Sequence, residues 1–510
     1  MVGFAVIAPT FSLADQKAQT FRTMSLILMA SRLTMAAQYS SIMWHVRKFK
    51  NTNLPLALMI GLNMVAAIVY LGVAFAFQDG NSSLFSVWYI FTGIEMILTV
   101  SFSMRWKVLS FYGTHLVNRM SLLTYIFMGE GIITVLSAVT KIVLNANSWS
   151  SATIGNVTAG ISTLYIIYMI YFDWRRQLNI SLVKQLSWSL LHFPFHLSLK
   201  LFVLGFTQFV IWWKVFETQY SVQDQFVASL AAGEDPNFNV TTSWLINALN
   251  TTVNDVFSTY VPKYYDTYLS IEDALSDLSY IPDSFWLVTD TGIPEGFNET
   301  TLNETQLTLD LGIYDLWNAV ENSLFATFNI NGFSSVSGFK GEVTYEVNEK
   351  ASEVNWGKFR LVFVYAYVAA GITLILMNTL FIVSRTRGWT PFNYLRKAIN
   401  YAIGLGLCLV SLVSLNDEHA AAFEGTPWPL PTLCLTFFVV LILNHLPQPP
   451  PIFFKKKEVA AEAKGWDVVK EMGFRGKTSD EALVTEQKAS SGETQVRHSD
   501  VETAYQGAGR

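Results

Sequence analysis

Seven ionisable side chains lie within or at the ends of strongly apolar segments of this 510-residue chain, where they could hold charge or move protons. They are Arg32, Glu95, Glu130, Asp173, His192, His196 and Lys200. The last three belong to HFPFHLSLK, residues 192–200, and recur at every fourth position, which places them on one face of a helix. Pro194 frees one backbone carbonyl of that helix, so the turn is locally polar. Such a stripe is expected to face other helices rather than lipid.

The acidic and basic members of this set are compatible with two roles. In the first, the two deep acids, Glu95 and Glu130, neutralise the two deep cations, Arg32 and Lys200, because a charge inside a membrane costs about 3 kcal/mol on insertion scales. In the second, these groups and the histidines line a water-filled path for ions or protons. Glu130 would then bind the cation or proton, the histidines would relay protons near neutral pH, and the two cations would balance charge or gate the path, with Asp173 at its end. The sequence leaves both roles open.

A metal site is a third role that the spacing permits, because histidines four residues apart on a helix are a known ligand pair and Asp173 or Glu130 could be a third ligand. However, the chain has no HExxH motif and no cysteine ligand near this turn, and a proline separates the two histidines. No metal and no other cofactor is therefore predicted. The chain also lacks a GxSxG motif and paired aspartates within its apolar runs, so it is not predicted to be an enzyme.

Two further patterns near these residues are open to structural and functional interpretations. Gly129 and Gly131 flank Glu130, and such small residues either let a second helix approach closely or leave the acid accessible to a ligand. The tyrosines at 165, 168 and 171 are interpreted as packing and membrane-interface residues rather than as a binding site.

The composition indicates a multi-pass membrane protein in contact with a lipid bilayer. Hydrophobic residues make up 51% of the chain and charged residues 14%, and the mean hydropathy is +0.32, whereas soluble domains carry about 25% charged residues. Unpaired backbone groups are so costly in lipid that long apolar runs must be helices, so the predicted fold class is an all-α polytopic bundle.

Cys408 and Cys434 provide no disulfide framework, and no nucleic-acid partner is indicated. The nine predicted spans are 22–44, 54–78, 84–104, 117–144, 152–172, 187–213, 358–384, 397–415 and 428–446.

The distribution of charge predicts how these spans are oriented. Thirteen lysines and arginines, from Arg47 to Lys397, occupy one set of alternate connections, which places that side and the C terminus in the cytosol. The 215–355 segment carries 21 acidic residues against three lysines, so it is predicted to be extracytoplasmic or lumenal. Its charge is interpreted either as a cation-attracting vestibule or as a solvated surface from which basic residues are excluded. The segment contains four N-glycosylation sequons, at Asn239, Asn250, Asn298 and Asn303.

These features divide the chain into five parts. Residues 1–21 are a partial helix and outer loop, 22–214 a six-helix membrane region, 215–355 the acidic and partly folded insert, 356–446 three further spans, and 447–510 a disordered cytosolic tail. The tail contains PQPPP and then KKK, lysines that suit an anionic cytosolic leaflet. The host membrane is expected to be the plasma membrane or an endomembrane, and the oligomeric state is left open.

Three motifs in sequential order resemble a known family. They are NRMSLLTYIFMGEGII, IIYMIYFDWRR and LLHFPFHLSLKLFVLGFTQFVIWWK, preceded by SRLTMAAQY. Over residues 20–214 the chain resembles the low temperature requirement protein A (LtrA) family, in its fungal form with a long loop, more helices and a charged tail. The family usually begins with an acidic, aromatic helix of the E-L-F-F-D type, which is absent here, and MVGFAVIAPT resembles the end of a following helix. The resemblance implies an integral membrane bundle but no settled biochemical activity, because the family is named for a growth phenotype.

The sequence therefore predicts two classes of function. The first is a channel or transporter for protons or monovalent cations that uses the intramembrane acids, histidines and lysine. The second is a membrane scaffold or a factor for low-temperature or stress adaptation, which acts through its glycosylated loop and its cytosolic tail.

Overall fold

The described part of the computed structural model is built from α-helices and contains no β-strand. It comprises residues 18–77, 84–109, 115–143, 149–174, 182–231, 241–286, 296–328, 330, 345–385 and 389–447. The first seven helices are α1 Ala18–Val46, α2 Lys50–Ala76, α3 Phe85–Arg105, α4 Leu116–Ile142, α5 Ser151–Trp174, α6 Leu182–Ala231 and α7 Thr242–Thr259. The others are α8 Asp266–Leu278, α9 Glu299–Thr327, α10 Tyr345–Ser384, α11 Pro391–Val410, α12 Asp417–Glu424 and α13 Pro429–His445. The all-α fold class is confirmed.

Seven of the described helices are long and apolar enough to cross a membrane, or eight if a bent pair counts as one span. The seven are α2 to α6, α10 and α11, and the pair is α12 with α13, bent by 75°. The predicted span 428–446 corresponds to α13, which has 17 residues. The predicted span 22–44 is a helix, α1, but it carries Arg22 and Arg32 and is not among the seven.

Helices α1 to α3 have a small aromatic core of their own. Phe21 stacks on Trp88 with ring centroids 5.6 Å apart, and Phe77 lies 5.3 Å from Phe21. Arg22 donates two hydrogen bonds to the carbonyl of Phe77, at 3.1 and 2.6 Å, and so satisfies a backbone acceptor at the end of α2. These contacts fix α1 against α2 and α3.

The centre of the remaining bundle is the pair α6 and α10. They are 50 and 40 residues long, well beyond the predicted spans 187–213 and 358–384, whereas about 20 residues cross the hydrocarbon. They approach closely where Gly205 lies against the backbone and side chain of Ala366. Both helices continue into the acidic 215–355 segment, and α6 is continuous through Pro194.

The described parts of the acidic segment, residues 215–231, 241–286, 296–328, 330 and 345–355, are mostly helical. Helices α7 to α9 bury an apolar face together with the extensions of α6 and α10. The buried side chains include Leu249, Val253, Leu278, Leu316 and Phe325. Periodic apolar positions such as Leu245, Leu249 and Val253 on α7 produce this face.

Three of the four predicted sequons lie in the described part of the acidic segment. Asn298 and Asn303 are exposed, and Asn298 caps α9 by accepting a hydrogen bond from the Thr301 amide at 2.7 Å. Asn250 is half-buried on α7, and Asn239 lies outside the described residues. The exposure of Asn298 and Asn303 leaves both side chains accessible on the surface.

The Asp315 carboxyl on α9 is expected to make the stability of the acidic segment depend on pH. Burial, with the nearby carboxylates of Asp277 and Glu349, raises the pKa of Asp315 to about 6. Because the pKa of Asp315 is higher in the folded than in the unfolded chain, the protonated carboxyl contributes stability to the fold. This contribution is complete below the unfolded pKa near 4 and is lost as the pH rises through 6. Asp315→Asn should therefore raise the unfolding free energy at pH 7.5 by about 1 kcal/mol, after a discount for solvent screening, but not at pH 4.

Thermal unfolding at the two pH values measures this effect. The matched control is Asp310→Asn on the same helix, because Asp310 is exposed and accepts a hydrogen bond from Gln306. An equal gain from Asp315→Asn at both pH values would contradict the expectation.

Candidate functional site

Two ion pairs join the four deep charges of the predicted set. Arg32 on α1 lies 3.0 Å from the Glu95 carboxylate on α3, between Nη2 and Oε2. Lys200 on α6 donates a hydrogen bond from Nζ to Oε1 of Glu130 on α4. Each acid predicted to lie at membrane depth is thus next to a cation from a different helix, as the structural interpretation of these residues requires.

The Lys200–Glu130 pair lies at the surface of the bundle. The Lys200 side chain is 26% exposed and the Glu130 side chain 49% exposed, so the expectation that the whole stripe faces inward is wrong at this position. The reason is geometric: with 3.6 residues per turn, each step of four residues rotates the position by about 40° around the helix. His192 and His196 face the bundle, and Lys200, two steps from His192, has rotated to its edge.

His192 is buried between α5 and α6, with 1% of its surface exposed. Its Nδ1 atom lies 2.8 Å from the carbonyl oxygen of Trp188, and its Nε2 atom lies 3.0 Å from the hydroxyl of Tyr171. A carbonyl only accepts, so Nδ1 carries the proton, and in the neutral ring Nε2 accepts from the tyrosine hydroxyl. The sequence interpretation of Tyr171 as a packing residue missed this hydrogen bond.

His196 is buried against α4. Its Nε2 atom lies 2.8 Å from the Thr124 hydroxyl, and that hydroxyl lies 3.1 Å from the Met120 carbonyl oxygen of its own helix. The imidazole rings of His192 and His196 have centroids 5.5 Å apart. Two buried histidines thus lie side by side in the bundle, each hydrogen-bonded to a hydroxyl of another helix.

Comparison with known proteins assigns the region that contains these residues to a family. A family model described as bacterial low temperature requirement A protein (LtrA) matches residues 1–255, half of the chain. The chain belongs to the LtrA family. No curated protein and no solved structure matches it. The LtrA match begins before and ends beyond the 20–214 region in which the motifs lie, and it contains all seven predicted site residues.

Asp173 lies at the end of α5 and does not join the histidines of this LtrA protein. Its side chain is exposed, and it interacts electrostatically with Arg396 and Lys397 of α11. In the described part of the chain, no group of three or more His, Cys, Asp or Glu side chains could hold a metal ion. The geometry therefore gives His192 and His196 no third ligand from Asp173.

Lys397 is a buried lysine that the sequence analysis assigned only to the cytosolic charge count. The side chain is 3% exposed, and Nζ lies 3.9 Å from the centroid of the Phe381 ring, as in a cation–π contact. Asn378 of α10 donates to the Lys397 carbonyl at 3.1 Å. The buried positions 393, 397, 400, 404 and 407 of α11 recur at helical spacing, and this periodicity could have identified Lys397 as an inward-facing residue.

The two glycines beside Glu130 differ in their surroundings. A Cβ atom on Gly131 would lie 3.0 Å from Val203 and 3.3 Å from Leu164, so this glycine allows α4 to pack against α5 and α6. A Cβ atom on Gly129 would meet nothing within 4 Å. Helix packing thus accounts for Gly131 but not for Gly129.

The Arg32–Glu95 pair lines a cavity of about 260 Å³ where α1 and α3 meet the start of α6. Thr92, Ser103 and Ser189 add hydroxyl groups to its wall. The ion pair and the hydroxyls give polar groups to a cavity that Met96, Val100, Leu186 and Leu190 otherwise line with apolar side chains, and this cavity is separate from the histidines.

Proposed function

We propose that this LtrA membrane protein moves protons or monovalent cations across its membrane and that His192 and His196 form the proton relay. The observation that carries the proposal is the pair of buried imidazoles 5.5 Å apart, each hydrogen-bonded to a hydroxyl on a neighbouring helix. An imidazole ring can take up a proton at one nitrogen and release one from the other, so neighbouring rings can pass a proton by exchanging tautomers. A purely structural core would gain no stability from two buried imidazoles, because their hydrogen bonds only offset the free energy lost in removing them from water.

The charged residues take supporting roles in this proposal. Lys200 follows His196 by one turn, and its partner Glu130 is half exposed, so Glu130 is the carboxylate that exchanges a proton or cation while Lys200 balances its charge. Arg32 and Glu95 line a separate cavity, which suits a gating pair. Asp173 interacts with the basic residues at the start of α11, at the end of the bundle that the charge distribution assigns to the cytosol.

The proposed setting is the plasma membrane or an endomembrane, with the C terminus in the cytosol and the acidic segment glycosylated on the opposite side. The excess of lysine and arginine on alternate connections supports this orientation. Two exposed sequons, Asn298 and Asn303, support glycosylation of the acidic segment. The helices that follow the LtrA match support the fungal form of the family.

The double variant His192→Gln/His196→Gln should lower proton flux by about tenfold or more, because a positioned imidazole contributes at least that much to proton transfer. Glutamine keeps hydrogen-bonding groups but cannot titrate. The measurement is the rate of internal pH change in proteoliposomes under an imposed proton gradient. His45→Gln is the matched control, because His45 is exposed at the end of α1.

Two further comparisons make this test decisive. Glu130→Gln should reduce cation-dependent flux, whereas Glu346→Gln should not, because Glu346 is exposed on α10 and pairs with Lys350. Wild-type flux from a folded histidine double variant would contradict the relay, and the same result for Glu130→Gln would contradict its role in ion binding.

A scaffold for low-temperature or stress adaptation is the second candidate function. It is favoured by the continuous helices α6 and α10, which join the membrane bundle to the helical part of the acidic segment. Phe202, Phe206 and Phe437 are fully buried and close the interface between α6 and α13, as a purely structural bundle would. In that case removal of residues 241–328 should abolish growth at low temperature while Glu130→Gln leaves it intact, and the opposite pair of results would favour transport.

A further inference from the structure

A large cavity lies away from the histidine pair, where α6 and α10 extend into the acidic segment. A cavity of about 650 Å³ opens between the extensions of α6 and α10 and the helices α9 and α12. This volume lies within the range of roughly 300 to 1,000 Å³ that small-molecule sites occupy. The cavity is not part of the proposed proton relay, so it requires an explanation of its own.

The wall of this cavity combines aromatic rings with acidic groups. Its rings are those of Phe216, Tyr220, Tyr314, Trp317, Trp356 and Phe359. Four carboxylates face the same space, those of Glu321, Glu349, Glu353 and Glu424, against one cation, Arg360. Aromatic faces attract cations through the ring quadrupole, and the carboxylates add an excess of negative charge.

Glu424 is the acidic residue that points most directly to a ligand. Its side chain lines the cavity with 6% of the residue exposed, and Oε1 is buried with no hydrogen-bond partner among the described residues. Arg360 interacts with this carboxylate electrostatically. The end of α12 is held in place by the Tyr220 hydroxyl, which donates to the Gly425 carbonyl at 2.9 Å. A buried carboxylate oxygen without a donor is costly, and a cationic ligand would satisfy it.

Glu321 contributes differently, as the deepest acid of the wall. It accepts a hydrogen bond from Ser352 at 2.7 Å and is 2% exposed. Burial raises the pKa of Glu321, although hydrogen bonds from Ser352, Trp356 and Gln219 oppose this shift. Glu321 is thus a hydrogen-bonded acid at depth, and Glu349, Glu353 and Glu424 are the other acids of the wall.

The spread of the acids over the wall argues against a metal ion. A bound divalent metal needs several ligands at about 2.0 to 2.6 Å from one point, and no described group of three or more such side chains could hold one. A wide cavity with separated carboxylates and aromatic faces matches an organic cation instead. Behind this wall, the Trp212 ring lies 4.4 Å from Phe359, and Phe216 lies 5.2 Å from Phe359, so the two phenylalanines that line the cavity belong to a larger aromatic cluster.

We propose that this cavity binds a small organic cation, an amine or a quaternary ammonium compound, with the Glu424 carboxylate against the cationic nitrogen and the Trp317 and Trp356 rings against its substituents. The proposal stands independently of proton movement through the membrane. A protonated amine would donate an N–H hydrogen bond to the unpartnered Glu424 oxygen, whereas a quaternary nitrogen would offset its charge without a hydrogen bond. The aromatic faces would bind the substituents of either cation.

Calorimetric titration of the full chain in nanodiscs tests the proposal with two matched pairs of probes. The first pair is choline and dimethylbutanol, its neutral tert-butyl analogue, and the second is butylammonium and butanol. At least one of the two cations should bind about tenfold or more tightly than its neutral analogue. Glu424→Gln should weaken binding of that cation by about tenfold and Trp356→Leu by about fivefold, whereas Glu346→Gln, outside the cavity on the same helix as Trp356, should not change it.

Thermal unfolding of each variant establishes that it is folded, and Glu353→Gln at the rim of the cavity is the second binding variant if Glu424→Gln does not fold. The proposal is overturned if neither cation binds more tightly than its neutral analogue. It is also overturned if a folded cavity variant of Glu424 or Glu353 binds as the wild type does. Proton flux measured separately on the same variants distinguishes this result from failure of the histidine relay.

Discussion

Gly371→Ala should destabilise the membrane bundle by about 1 to 3 kcal/mol, the usual effect of overpacking a close contact. A Cβ atom on Gly371 of α10 would overlap the carbonyl oxygen of Gly404 and the sulfur of Cys408 on α11, and would lie 3.0 Å from the Cys408 amide nitrogen. Backbone atoms of a packed helix cannot move aside, so α10 and α11 must separate. Small residues at such crossings are a common basis of helix association in membranes.

Gly406→Ala on α11 is the matched control for this substitution. A Cβ atom on Gly406 meets nothing within 4 Å, so alanine there should be neutral or stabilise the helix by up to about 1 kcal/mol. The measurement is the unfolding free energy in mixed micelles titrated with a denaturing detergent. Equal stability of the Gly371 and Gly406 variants would show that α10 and α11 are not in the contact described.

The apolar part of the fold was predictable from hydropathy, and the helix ends were not. Hydropathy identifies only the apolar residues that lipid or the core must cover. It therefore predicts an end of α6 near residue 213, although the helix continues to Ala231. The extension of α6 is held by packing against the helices of the acidic segment. That packing depends on residues such as Leu249 and Phe325, which are distant in sequence. No sequence pattern near residue 213 indicates these contacts with distant residues.

The ion pairs were predictable because few residues could form them. With two acids and two cations deep in the apolar runs, a membrane leaves mutual pairing as the simplest arrangement, and the structure contains Arg32–Glu95 and Lys200–Glu130. Which acid pairs with which cation depends on how the helices are arranged, and helical spacing carries no such information.

The hydrogen-bond partners of the histidines could not be predicted for the same reason. The spacing of His192 and His196 places both on one face, but Tyr171 and Thr124 reach them from α5 and α4. Lys397 shows the opposite case, because the periodicity of α11 does contain the signal for its burial. Its position in a cluster of basic residues led to its assignment to the cytosolic charge count alone.

Arg32→Met should destabilise the protein by about 3 kcal/mol, because it leaves the Glu95 carboxylate buried without its cation. Glu95 is 8% exposed and lies 3.0 Å from the Arg32 guanidinium. Glu95→Leu should have a similar effect, since it leaves the guanidinium uncompensated within the bundle. The double variant removes both charges, so it should recover most of the loss.

Unfolding free energies of the wild type, the two single variants and the double variant form the thermodynamic cycle that measures this coupling. The Lys350–Glu346 pair is the matched control, because both side chains are more than half exposed at 59% and 78%, and exposed pairs couple by at most about 1 kcal/mol. If the Arg32 and Glu95 effects simply add in the double variant, the two side chains are not coupled and their pairing is refuted. Strong coupling would instead establish that α1 is fixed to α3 by charge at the cavity they share with α6.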